Sequence, residues 1–322
     1  MPSSTSSSDG SAAKRALFAL AGAFALLNAA ALVLWQAIPL TPVSTGRYLA
    51  AVDDHLAMLE RSKGQEGRVI LIGGSGAAFS ISAEALGEEL GRPVFNGGIQ
   101  AGIGFRNLMD LYAPHLDPEN DLIVLLPELE LLAEDARYSA TWCDVVYLRK
   151  DLKRLIGQPR CLPNVIHRTY EEVRYHLTGN TSVDAVYRRS GFNAVGDLTS
   201  HLAIDRPPPD FGEYRLPDIT PQELDRFETY VKDELIGRGF DVLYVPAAMP
   251  EPACRWREVD AIAAQLSALS TVDAAPPELA RFCLPAELFF DGAGHLNREG
   301  RVIQTANVRS VLEQAVAGPA TN

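Results

Sequence analysis

The stretch Arg68-Val-Ile-Leu-Ile-Gly-Gly-Ser75 decides the fold. Four consecutive aliphatic residues, Val69 to Ile72, leave no polar face, so the segment reads as a strand covered on both sides by helices. The two glycines that follow place Ser75 at the carboxyl end of that strand, where open α/β sheets bind their ligands. Pro93-Val-Phe-Asn-Gly-Gly98, Asp121-Leu-Ile-Val-Leu-Leu-Pro127 and Phe240-Asp-Val-Leu-Tyr-Val-Pro246 repeat the pattern of a short apolar run ended by Gly or Pro. Helices are read over residues 48–63, 82–91 (with Ser82 as N-cap), 103–115, 220–238 and 297–316. The alternation predicts an α/β fold with a central parallel sheet. Residues 135–215 interrupt it. They mix Tyr, Arg and His with Pro207-Pro208-Pro209 and read as an insertion, with helices near 150–156 and 164–177, that covers part of the site.

The amino end sets the compartment. Residues 1–13 are rich in Ser and Ala and are expected to be a disordered cytoplasmic tail. Lys14 and Arg15 then precede an almost wholly apolar run, Ala16 to Leu40, longer than the about 20 helical residues that cross a bilayer core. Residues 14–40 therefore predict one N-terminal transmembrane helix, with the N-terminus cytoplasmic, Trp35 at the far interface and the rest of the chain outside. A cleaved signal peptide is the competing reading, but the run exceeds the usual apolar region of about 7–15 residues. Residues 41–67 are expected to form a linker and a helix, 68–316 the domain, and 317–322 a tail.

With 322 residues, 47% of them apolar, the chain has material for one large core, and a net charge of -12 argues against a nucleic-acid partner. Export makes Cys143, Cys161, Cys254 and Cys283 disulfide candidates. Of the three pairings, the sequence-local one, 143 with 161 and 254 with 283, is expected; four buried thiols are the alternative. No cysteine or histidine spacing suits a metal, and no cofactor is implied. The dinucleotide fingerprint fails because Phe79 stands where a glycine is needed after Gly74-Ser-Gly76.

Three pieces carry chemistry. Ser75 is the candidate nucleophile, and a serine hydroxyl needs an adjacent base. His295, in Phe289-Phe-Asp-Gly-Ala-Gly-His-Leu-Asn297, is that base, with Asp291 as its orienting carboxylate. Asn96-Gly97-Gly98 ends the second strand, and the N–H groups of Ser75, Gly97 and Gly98 are the expected oxyanion hole. A helix-capping serine, a structural loop histidine and a plain strand-to-helix turn are the competing readings of the three. Asn96, Glu128, Asn193 and Asp197 are the candidates for substrate binding.

In this order, strand–Gly-Gly-Ser75, strand–Asn96-Gly97 and a late Asp291…His295-Leu-Asn297 before the last helix, the motifs resemble the SGNH/GDSL hydrolase family over residues 68–127 and 240–316. The nearest branch is the exported, membrane-anchored one of D-alanine transfer and exopolysaccharide acetyl-transfer proteins. The resemblance implies a flavodoxin-like three-layer sandwich at the cell inner membrane, facing the periplasm. It also implies ester hydrolysis or O-acyl transfer on an acylated envelope polysaccharide or lipid, with a membrane-bound acyltransferase as partner. The departures are Gly-Gly-Ser for Gly-Asp-Ser, one extra residue between Asp291 and His295, and Pro127-Glu128-Leu129-Glu130 in place of a Gly-x-Asn-Asp block. They keep open a second function, a non-catalytic scaffold or polymer-binding component of an envelope assembly.

Overall fold

The computed structural model describes residues 9–132, 139–179, 181–212, 218–255 and 257–316. Residues 1–8 of the expected tail, and the tail at 317–322, lie outside the described residues. The long apolar helix α1 (Asp9–Ala37) leads through one turn, α2 (Pro42–Thr45), to α3 (Val52–Ser62). There follow β1 (Arg68–Gly73), α4 (Ser75–Ser80), α5 (Ala83–Leu90), β2 (Val94–Asn96), α6 (Phe105–Tyr112), β3 (Asp121–Leu126) and α7 (Leu129–Leu132). The insertion supplies α8 (Ala140–Leu148), α9 (Leu152–Gly157) and α10 (Leu162–Thr178). The remainder is α11 (Pro221–Tyr230), β4 (Asp241–Tyr244), β5 (Met249–Pro250), α12 (Arg257–Ser267), β6 (Cys283–Leu284), β7 (Phe289–Gly292), β8 (His295–Leu296) and α13 (Arg298–Val316).

The four apolar runs form one parallel sheet, ordered β2-β1-β3-β4. Successive strand residues point to opposite faces. Ile70, Ile72, Ile123, Leu125 and Val242 accordingly enter one core with Leu59, Leu108, Val146 and Phe227. Val69, Leu71, Val124, Leu126 and Leu243 enter the other, with Leu86 of α5 and Val308 and Leu312 of α13. Helices therefore cover both faces, which is why the strands show no polar alternation. Ser82 caps α5 as expected, its Oγ accepting from the Ala85 N–H. At the amino edge of the sheet, Arg68 and Asp121 face each other in register, both fully buried. Arg68 Nε and Nη2 each donate to the Asp121 carboxylate at 2.6 Å, and Nη1 donates to Leu59 O and Ser62 Oγ, both at 2.9 Å.

Within α1, Ala12–Ala37 has a hydropathy of 2.3 and is long and apolar enough to cross a membrane. The helix starts at Asp9, so residues 9–13 are helical rather than disordered. Trp35, expected at the far interface, packs against the domain. It is buried, its ring stacked on Tyr147 with centroids 6.4 Å apart, and its Nε1–H donates to Tyr147 O at 2.9 Å. An indole needs one acceptor and an apolar wall, and α8 offers both. Lys150 donates to the carbonyls of Gln36 and Ile38, closing the end of the helix. Residues 41–47, expected as a linker, are packed: Glu172 of α10 accepts from the Thr41 N–H and the Ser44 hydroxyl.

Both expected disulfides form, Cys143–Cys161 in the insertion and Cys254–Cys283 between the segments after β5 and in β6. The first closes a loop with a sequence separation of 18. Replacing both of its cysteines with alanine should cost about 3 kcal/mol by loop entropy. Urea unfolding of the full chain in detergent reads that loss. An unchanged midpoint would mean that the insertion unfolds separately from the sheet.

Candidate active site

Ser75 is the first residue of α4, immediately after β1 and Gly74. The turn is tight: a Cβ at Gly74 would lie 2.6 Å from Ala101 N and 2.7 Å from the Ala101 Cβ, so only glycine fits without displacement. Asp291 and His295 stand on a hairpin in which Gly292 pairs with His295. Two residues, Ala293 and Gly294, make its turn, and Gly294 takes a left-handed φ of 80°. The hairpin absorbs the extra residue between acid and base and sets the two side chains together. The Ser80 hydroxyl ties α4 to this turn, donating to Gly294 O and accepting from the Leu296 N–H.

The three side chains form a continuous hydrogen-bonded line. Ser75 Oγ lies 2.8 Å from His295 Nε2, and His295 Nδ1 lies 2.8 Å from Asp291 Oδ1. A carboxylate accepts, so Nδ1 carries the proton and Nε2 is left to accept from the serine hydroxyl. Burial works against ionisation of Asp291. Hydrogen bonds from His295 and Tyr187, with the charges of His295 and Arg206, outweigh it and hold the carboxyl below its ordinary value. Phe79 of α4 stacks on the imidazole, with centroids 4.0 Å apart and 11° between planes.

Tyr187 and Arg206, from the segment read as an insertion, reach Asp291. The Tyr187 hydroxyl donates to Asp291 Oδ2 at 2.8 Å, and Arg206 Nη1 lies 3.5 Å from the same oxygen. Neither these two nor Phe79 was found from sequence. Phe79 sits four residues after Ser75 on the same helix face, a spacing that offered the one available signal.

The expected oxyanion hole does not form from Gly97 and Gly98. The Gly97 N–H donates to Leu71 O at 2.8 Å, as one more rung of the β1–β2 ladder, and the Gly98 N–H donates to Asn96 Oδ1 at 2.9 Å. Gly98 is a packing glycine, since a Cβ there would meet Ala77 Cβ and Ala78 N at 2.6 Å. Asn96, Asn193 and Asp197 are likewise taken up by partners within the protein. Asn96 is buried and donates to Ala77 O at 2.9 Å and Asp197 Oδ1 at 3.1 Å. Asp197, also buried, accepts from the Ala83 and Glu84 N–H groups at the start of α5 and pairs with Arg301 of α13 at 3.3 Å. Asn193 Oδ1 accepts from the amides of Val195 and Asp197 and shapes that loop. A buried carboxylate needs such partners, and these groups are already spent on one another.

Glu128 does reach the site. Following β3, its half-buried carboxyl accepts from the Gly74 N–H at 2.6 Å and from the Gly76 N–H. Burial pushes this carboxyl above its ordinary value, against the opposing pull of those amides. Among the described residues, no acceptor takes the intervening N–H of Ser75. An apolar cleft lined by Tyr244, Pro246, Met249, Val259, Ile262 and Leu279 opens beside Glu128 and Gly294. Comparison with family models, with curated proteins and with solved structures finds no match to this chain.

Proposed function

We propose that the chain is a membrane-anchored serine esterase or O-acyltransferase of the SGNH/GDSL type, working through an acyl-enzyme on an acylated polysaccharide or lipid of the cell envelope. The observation that carries the reading is the unbroken Ser75–His295–Asp291 line. The strand order β2-β1-β3-β4 supports the flavodoxin-like sandwich, whose order is 2-1-3-4-5. The apolar helix and the two disulfides support an anchored domain in the periplasm.

In this reading Ser75 Oγ attacks the acyl carbon while Nε2 of His295 takes its proton. Asp291 stabilises the imidazolium, which then protonates the departing alkoxide. Water or a sugar hydroxyl, deprotonated by the same nitrogen, releases the acyl group and restores the serine. Developing charge on the carbonyl oxygen falls to the Ser75 N–H, with Glu128 bracing the amides on either side. The cleft beside Glu128 suits the apolar part of an acyl group.

A fluorophosphonate probe on the full chain tests the nucleophile. The native chain should label and Ser75→Ala should not. Equal labelling of the variant, or a native chain that neither labels nor cleaves aryl esters, would favour the non-catalytic scaffold. The brace has its own test. Glu128→Ala should lower kcat by about 10–100-fold, short of the about 10²–10³ seen on removing an oxyanion donor outright, and should leave KM little changed. Unaltered kcat would show that the turn holds itself.

A further inference from the structure

Outside α1, the exposed large apolar or aromatic side chains among the described residues are Leu152, Ile156, Tyr170, Leu177, Val302 and Ile303. The first four lie on α9 and α10, and α10 is the helix against which α1 packs. Leu152 and Ile156 are four residues apart on one exposed face of the short α9, beside the buried Leu155, with Ile156 73% exposed. On α10 the exposed stripe runs Pro163, His167, Tyr170, Arg174 and Leu177, at alternating spacings of four and three, and Leu177 is 83% exposed. Such apolar groups have no partner within the domain, yet they lie beside a helix made to sit in lipid.

The charge around them matches a lipid surface. In a chain of net charge -12, residues 149–160 carry five basic side chains, Arg149, Lys150, Lys153, Arg154 and Arg160, against the single acid Asp151. Lys150 is bonded to the end of α1 itself. Ala31 and Trp35 are buried while Val33 and Leu34 stay exposed, so the domain packs against one side of the anchor's final turns. The helices that pack on that side then stand at the level of the headgroups, where the exposed side of the anchor leaves the hydrocarbon. Basic side chains beside aromatic and aliphatic ones are the composition that binds there.

We infer that α9 and α10 form a foot seated in the headgroup layer of an anionic bilayer on the domain side, with Ile156 and Leu177 reaching its apolar boundary. The inference rests on α1 spanning that bilayer, and one experiment separates the two. The four native cysteines are disulfide-bonded. A cysteine introduced by Ile156→Cys, Leu177→Cys, Val302→Cys or Phe24→Cys therefore takes a polarity-sensitive dye alone. Each full-length variant is reconstituted into phosphatidylethanolamine–phosphatidylglycerol vesicles with and without brominated lipid. Dyes at 156 and 177 should show blue-shifted emission and loss of intensity with bromolipid, as at 24, while the dye at 302 stays water-like. Water-like dyes at both 156 and 177 with a lipid-like dye at 24 would overturn the foot and leave the anchor standing. A water-like dye at 24 would overturn both. Quenching at 302 equal to that at 156 would overturn the foot by showing that contact is not confined to it.

Discussion

Replacing His295 with alanine should lower kcat/KM on an activated ester by about 10⁴–10⁶-fold, leaving only what binding and the oxyanion donor supply. The reason is the 2.8 Å contact from Nε2 to Ser75 Oγ, the one base within reach of that hydroxyl among the described residues. Asp291→Asn should cost about 10⁴-fold, because an amide can donate to Nδ1 and so favour the tautomer that has its proton on the wrong nitrogen. The double variant Ser75→Ala/His295→Ala should be no slower than either single one, since the groups act as a unit. Steady-state kinetics on the full chain in detergent checks all three. Activity of His295→Ala within tenfold of native would remove the histidine from the chemistry.

The largest stability effect is expected at the buried pair under the sheet. Arg68→Met leaves the Asp121 carboxylate in the core with only the Asp117 N–H as a close donor, and should cost about 3–5 kcal/mol. Domains of this kind have about 5–15 kcal/mol in total, so the variant should be visibly less stable to denaturant. The double change Arg68→Met/Asp121→Leu should recover most of the loss, because no charge is then left unpaired. Guanidinium unfolding distinguishes the cases. A double variant no better than the single one would assign the stability to the bonds from Arg68 to Leu59 and Ser62 instead.

The sheet was legible in the sequence because a strand buried on both faces needs consecutive apolar residues, and Val69–Ile72, Leu122–Leu126 and Val242–Val245 supply them. Strands β5 to β8 were not, since segments of two to four residues have no period to read. Ser75 and His295 could be paired because each sits where a regular element ends. The amides of Gly97 and Gly98 could not be assigned, because whether a terminal glycine extends the ladder or turns outward depends on register, which composition does not report. Glu128 read as a candidate for substrate binding; its place between Gly74 and Gly76 follows from β3 lying beside β1, a neighbour relation absent from the linear chain. Tyr187 and Arg206 lie in a region without periodicity, so nothing local marked them. Trp35 marked the far end of the apolar run by its type, but the carbonyl on α8 that serves its indole N–H was not legible.

Serine and histidine are 220 positions apart. Under the proposed function, a polypeptide leaving the ribosome amino end first carries its nucleophile unarmed until those 220 positions have been added. The imidazole arrives only after all four strands of the parallel sheet, with α13 following it to seat Arg301 on Asp197. On that proposal a nascent or truncated product lacking the last hairpin would retain the serine and all four strands of the parallel sheet and still be inert, so the order of manufacture itself acts as a safety catch.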